Sequence, residues 1–263
     1  MADLLDATKT LIKDYGINDA KIKDQIFLVD EGVLDREVMS QNLKQSDVVL
    51  EIGPGFGYLT ERISKLCRVV AVETDVKLHS YLINKYELNE KVQLINADIL
   101  STVIPKFNKI ISNPPYNIVD RIFSKLIHYD FESGTMVLPK NISEDLINDA
   151  SNKKFPLVQR QFFEFSQLEV VPKESFYPQP RVISIMLKFS RKPKSLVQLV
   201  LKRDEMTVKN SIERAYQDIE MQTKRESRAS VAAIQEKLGE IGKKEVKKLD
   251  YQEISKLIEA LQS

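Results

Sequence analysis

Asn113-Pro114-Pro115-Tyr116 places two kinds of acceptor and an aromatic ring within four residues. The segment follows Lys109-Ile110-Ile111-Ser112, a largely apolar run, so a buried strand is expected to end where this loop opens. Ligands gather at such strand ends in open α/β sheets. The two prolines fix φ, remove two backbone donors and leave their carbonyls as acceptors. An exocyclic amine on a nucleobase is a poor nucleophile, because its lone pair is delocalised into the ring. The Asn113 side-chain oxygen and the Pro114 carbonyl can hold both amine hydrogens and favour the positive charge that grows as a methyl group arrives. Tyr116 can then stack on the base and hold it in line. A Pro-Pro turn that merely follows an asparagine is the alternative.

A second constellation lies upstream. Val48-Val49-Leu50-Glu51-Ile52-Gly53-Pro54-Gly55-Phe56-Gly57 reads as a β-branched strand running into a glycine-rich turn, with a helix predicted from Tyr58. Glycines there let the backbone approach a ligand without Cβ clashes, although a tight turn of purely structural purpose uses them too. The next strand, Arg68 to Val72, ends in Glu73, about twenty residues beyond the first glycine, where a carboxylate can accept from both ribose hydroxyls of a nucleoside. A third, Val92 to Ile95, leads to Asp98, a candidate acceptor for an adenine amine, and Ile99, which can pack on the ring; a helix N-cap is the other reading of Asp98. No arginine follows Glu73 to take a 2′-phosphate, and Glu51 would repel a pyrophosphate while tolerating a sulfonium cation. The expected cofactor is therefore S-adenosylmethionine.

The ordered motifs resemble the ribosomal RNA adenine dimethyltransferase family, whose relatives include the erythromycin-resistance methylases. The resemblance begins at Asp24-Gln25-Ile26-Phe27-Leu28-Val29-Asp30, continues through Glu51 to Gly55, Glu73, Asp98 and Asn113 to Tyr116, and ends at Phe176-Tyr177-Pro178-Gln179-Pro180. It implies donor contacts from Gln25, Ile26, Leu28, Glu51, Gly53, Gly55, Glu73, Asp98, Ile99 and Asn113. It also implies Asn113, Pro114 and Tyr116 at the target amine, with Phe176 on the far face of the base. Such an aromatic clamp replaces the stacking lost when a base leaves its strand, and core packing is the competing role for Phe176. The chain departs from the family pattern at Ile26, where Asn or His is usual, and at Pro115, where Leu or Ile is usual. Further departures are Met136-Val137-Leu138-Pro139-Lys140-Asn141, in place of a Gln-Lys-Glu pattern, and Lys154-Phe155-Pro156-Leu157, in place of a Tyr-Gly pair.

These motifs demand a doubly wound, mostly parallel seven-stranded Rossmann-like sheet to position them. Residues 1–190 are expected to form the methyltransferase domain and residues 191–263 a small helical domain that aids RNA binding. Asp30 to Leu43 reads as an amphipathic helix, and four alternating strand and helix units follow it through Ile127. Gly134 to Leu138 reads as a fifth strand, Leu157 to Phe165 as a helix, and Leu168 to Val171 and Ile183 to Phe189 as late strands. Helical spacing through Val208, Ile212 and Ala215 and from Tyr251 to Leu261 fills the tail, with Thr223 to Ser230 as a polar connection.

The net charge of +1 conceals an asymmetry: residues 188–263 hold 17 Lys and Arg against 12 Asp and Glu, the remainder 22 against 26. A basic tail on an acidic body suits a nucleic-acid substrate, though a solvated helical face has the same composition. A single cysteine, Cys67, excludes an internal disulfide and fits a reducing compartment. His79 and His128 are isolated, so no metal is expected, and no membrane-spanning stretch or leader is read. The expectation is a cytoplasmic monomer acting on small-subunit ribosomal RNA within an immature small subunit. The resemblance implies that two adjacent adenosines near the RNA 3′ end become N6-dimethylated. The alternatives are a DNA adenine or protein glutamine methyltransferase, or a small-subunit assembly factor with weak or absent catalysis.

Overall fold

A computed structural model describes residues 4–16, 25–219 and 224–262. After helix α1 (Leu4–Asp14) and the short strand β1 (Phe27–Leu28), α2 (Glu31–Met39) begins at Asp30, whose side chain accepts from Val33 N. The expected helix from Asp30 to Leu43 thus stops earlier, at a Ser40 cap. The alternating core follows as β2 (Val48–Ile52), α3 (Tyr58–Leu66), β3 (Arg68–Glu73), α4 (Val76–Tyr86) and β4 (Val92–Asn96). The chain then runs to β5 (Lys109–Ser112), α5 (Val119–Leu126) and β6 (Ser133–Pro139), and on through α6 (Lys140–Ile147), α7 (Lys154–Phe162), β7 (Phe163–Val171), β8 (Phe176–Tyr177) and β9 (Ser184–Arg191).

The main sheet has seven strands in the order β4-β3-β2-β5-β6-β9-β7. β3 pairs parallel to β4 and β2, β2 to β5, and β5 to β6, while β9 runs antiparallel to β6. β-branched side chains suit this doubly covered surface: Val49, Val69, Val70, Val72, Ile110 and Ile111 are all buried. From β2 the chain winds outward through β3 to β4 and then returns to place β5 on the other flank of β2. That reversal opens a crevice beyond the carboxyl ends of β2 and β5, the position at which such sheets bind ligands.

Two expectations fail locally. No helix joins β4 to β5; the segment from Asp98 closes as turns, and Ile104 and Phe107 bury individually before β5 starts. The helix read from Leu157 to Phe165 runs instead from Lys154 to Phe162, and Phe163-Glu164-Phe165 already belongs to β7, the edge strand beside β9. Phe165 there packs against Phe123 and Phe189.

The chain divides into two compact units, Met1–Ile147 with Phe165–Arg191, and Asn148–Glu164 with Lys192–Ser263. The second unit therefore takes a segment that a single cut near residue 190 leaves with the first. It contains α7, α8 (Leu196–Leu201), α9 (Val208–Asp218), α10 (Lys224–Leu238) and α11 (Tyr251–Gln262). Val200, Leu201, Val208, Ile212, Ala215 and Leu257 are buried in it, and Gln198 Nε2 donates to Gln161 O and Pro193 O. The polar connection read across Thr223 to Ser230 is helical from Lys224 onward; Thr223 lies outside the described residues, as does Asp24 of the entry motif. Among the described residues no helix is long and apolar enough to cross a membrane.

Candidate functional site

Every site residue named from the sequence lines one cleft in the first unit, at the carboxyl ends of β2, β3 and β5. The cleft holds about 1090 Å³ of space, its open mouth included. Its two sides meet through Ser112, a buried residue at the end of β5. Ser112 Oγ donates to Ile52 O at 2.7 Å and accepts from Ile52 N at 3.2 Å, so a side chain continues the β2–β5 ladder where backbone pairing stops. The loops at Gly53 and Asn113 are held side by side as a result.

The glycine turn serves two purposes. Gly53, Gly55 and Gly57 all take positive φ, of 69°, 57° and 76°. At Gly57 the demand comes from packing: a Cβ there would lie 2.8 Å from Leu82 and from the Tyr86 hydroxyl, and that hydroxyl donates to Gly57 O. A Cβ on Gly55 would press on the Phe27 ring at 3.1 Å. Phe56, between them, points into the core and packs on Phe27 with ring centroids 4.7 Å apart.

Three acidic residues stand at or just beyond the carboxyl ends of β2, β3 and β4. Glu51 is buried and accepts from Thr60 Oγ1 at 2.6 Å, and burial pushes its carboxyl up to about 8. Glu73 accepts from Gly55 N at 3.2 Å and Asp75 N at 2.8 Å, and burial again raises its carboxyl. These bonds use only part of the roughly four lone-pair positions of a carboxylate. Asp98 is exposed and closes a turn by accepting from Leu100 N at 2.9 Å, beside buried Ile99.

On the other side, Tyr116 opens a short 3₁₀ turn in which Ile118 N donates to Pro115 O. The Tyr116 hydroxyl is 2.7 Å from Ser184 Oγ on β9, and burial pushes the phenol up to about 12, so it stays protonated. Asn113 Nδ2 donates to Glu37 Oε2 at 3.1 Å, while Asn113 Oδ1 is buried without a hydrogen-bond partner among the described residues. Gln25 Oε1 is in the same condition. Phe176 both lines the cleft and packs in the hydrophobic cluster with Phe27, Leu28 and Phe56. It belongs to β8, which pairs antiparallel with β1 so that Leu28 faces Phe176 and Phe27 faces Tyr177.

Glu37, Ser184 and Thr60 escape a reading of the sequence. Each is an ordinary residue on a helix or strand, and only the fold reveals its partner. Ser112 lies in the quoted motif, but its link to Ile52 depends on a strand sixty residues away.

Residues 18–263 match the model of a family described as ribosomal RNA adenine dimethylase. A protein of Methanosarcina acetivorans called a probable ribosomal RNA small subunit methyltransferase A is 33% identical over 189 residues, covering 70% of each chain. One from Thermotoga neapolitana, a ribosomal RNA small subunit methyltransferase A, is 30% identical over 218 residues, covering 78% of this chain and 84% of its own. Among solved structures, a dimethyladenosine transferase from Plasmodium falciparum superposes with a TM-score of 0.60 at 22% identity, covering 89% of this chain and 96% of its own. The 23S rRNA methyltransferase ErmE gives 0.61 at 22% identity, with coverage of 90% and 100%; these two share the fold. The family match spans most of the chain and the relatives are a third identical over most of their length, and the chain belongs to the ribosomal RNA adenine dimethylase family.

Proposed function

We propose that this protein transfers methyl groups from S-adenosylmethionine to the N6 amine of two adjacent adenosines near the 3′ end of small-subunit ribosomal RNA, giving N6-dimethyladenosine. The observation that carries this reading is Asn113 Oδ1, a buried acceptor with no hydrogen-bond partner among the described residues, on the wall of a cleft at the sheet's switch point. Buried polar atoms are almost always paired, and the amine of a flipped base would complete this one. Gln25 Oε1 and the remaining lone pairs of Glu73 fit the polar edges of the donor in the same way.

S-adenosylmethionine supplies an electrophilic methyl group when bound. Glu73 would accept from its ribose hydroxyls and Asp98 from its adenine amine, Ile99 and Ile26 would pack beside the ring, and Glu51 and the turn at Gly53 and Gly55 would face the charged end, with Gln25 and Leu28 on the same cleft wall. Asn113 Oδ1 and the Pro114 carbonyl each hold one hydrogen of the target amine and favour the positive charge that develops there. Tyr116 and Phe176 pack on opposite faces of the base. No general base is needed, because the amine proton can leave to water after transfer. The basic second unit aids RNA binding, and the protein acts as a cytoplasmic monomer on the immature small subunit, without a metal.

Incubation of the full chain with labelled S-adenosylmethionine and small-subunit RNA particles, DNA or protein tests this, with mass spectrometry of the products. The expected result is dimethyladenosine in RNA alone. Label in DNA or protein instead, or donor binding without transfer to any acceptor, overturns it.

A further inference from the structure

We propose that Glu37 is the positioning residue for Asn113: its carboxyl oxygen holds the asparagine amide by the nitrogen and so turns the amine-gripping oxygen toward the target. This rests on the proposed methyl-transfer reading of the cleft.

Glu37 lies on the buried face of α2 with Val33, Leu34 and Val38, a place where helical spacing calls for apolar residues. It is fully buried, and no cation pairs with it among the described residues; the charged groups that act on it are the carboxylates Glu51 and Glu169. A buried carboxyl in such company does not serve stability, since an apolar side chain of similar volume there would cost less. Among the described residues its side chain accepts one hydrogen bond, from Asn113 Nδ2 at 3.1 Å.

The two ends of an asparagine amide are nearly equal in size, so partners decide which end points where. Rotating Asn113 by half a turn would set its Oδ1 against the Glu37 oxygen, acceptor against acceptor. The observed rotamer leaves Oδ1 as the unpaired end. Burial pushes the Glu37 carboxyl well above the usual range, and a glutamine at this position keeps a carbonyl oxygen that can accept from Asn113.

The turn carrying Glu37 is itself anchored. Ser40 Oγ donates to Glu37 O at 2.7 Å and lies 2.6 Å from Thr135 Oγ1 on β6. Gln41 Nε2 donates to Thr135 Oγ1 at 2.7 Å, and Ser133 Oγ donates to Gln41 Oε1 at 2.7 Å. These bonds run in one direction from β6 to the Glu37 carbonyl, fixing this turn of α2 against the strand beside β5.

Two full-length variants test the role, Glu37→Met, which keeps volume and helix propensity but cannot accept, and Glu37→Gln, which can. Turnover on small-subunit RNA, calorimetric affinity for S-adenosylmethionine and thermal midpoint are measured beside wild type. In Glu37→Met we expect kcat to fall about 10- to 100-fold, as for a misplaced reacting group, with donor affinity within about twofold and a midpoint unchanged or higher. Glu37→Gln should keep kcat within about threefold of wild type. Wild-type turnover in Glu37→Met, loss of its fold or donor affinity in step with activity, or equal loss in Glu37→Gln overturns the inference and leaves the methyl-transfer reading standing. Absence of RNA methylation by wild type itself overturns both.

Discussion

Glu51, Glu73 and Asp98 give the β2–β4 side of the cleft three carboxyl groups, whereas Asn113, Pro114 and Tyr116 give the β5 side neutral acceptors and a ring. Both sides have buried polar groups, but they treat burial differently. On the acidic side it raises the carboxyls of Glu51 and Glu73, which are then steadied by Thr60 and by backbone N–H groups. On the neutral side it leaves an amide oxygen without a hydrogen-bond partner among the described residues. The contrast matches the two proposed guests: a nucleoside donor offers hydroxyl and amine hydrogens to carboxyl oxygens, while an aromatic amine needs acceptors that do not compete with it for a proton.

The contrast breaks most visibly at Asn113. Asn113→Ala should lower kcat by about 100- to 1000-fold, the scale for losing one preorganised polar group at a reacting centre, with donor affinity measured by calorimetry nearly unchanged. A parallel loss of donor binding would mean that the two sides are not separate in function. The converse change, Glu73→Ala, should weaken donor binding about 10- to 100-fold, as expected for a hydrogen bond to a charged group, while kcat at saturating donor stays close to wild type. Equal affinity for the donor would remove Glu73 from the ribose.

The smallest effect sharpens the electrostatic half of the comparison. Glu51 holds its proton up to about pH 8 in the folded chain, against an ordinary value of 4.5. Below the ordinary value both states are protonated and the burial carries no penalty from charge. Between the two values only the unfolded chain has released the proton, so stability falls as pH rises across that window. Glu51→Gln should flatten this slope, giving a melting-point advantage over wild type that grows by a few degrees between about pH 5 and 8. A constant difference across the range would show that Glu51 titrates normally.

Much of this arrangement is legible in the sequence, for physical reasons that vary by element. β2, β3 and β5 are short β-branched runs ending in glycine or polar residues, and neither their type nor their ends admit much choice. Phe162-Phe163-Glu164-Phe165 is different: its apolar spacing satisfies a helix or a strand, and the open edge at β9 decides for the strand from Phe163. The segment between Asp98 and Phe107 has buried apolar residues, but Pro105 and the Asp98 turn interrupt any helix. Within the site, chemistry concentrated in one loop could be read directly, as at Asn113 to Tyr116. Glu37 could not, because a glutamate in an amphipathic helix looks like solvent-facing charge until its neighbours are known. The Tyr116–Ser184 contact spans 68 residues and is hidden for the same reason. The glycines were legible as a turn, but the crowding of Gly57 by Leu82 and Tyr86 appears only once α4 is in place.

The little β1–β8 ribbon has a consequence for how the protein can change. Leu28 and Phe176, both of which line the cleft, are direct neighbours across it, and the ribbon is extended by Val29 N donating to Ser175 O at 2.8 Å and Ser175 Oγ to Asp30 Oδ2 at 3.0 Å. Trimming the chain ahead of Asp30, or sliding this ribbon by one residue, would displace two stretches of the cleft lining in a single event. A change in either strand of the ribbon is therefore felt at a cleft residue some 150 positions away in the sequence.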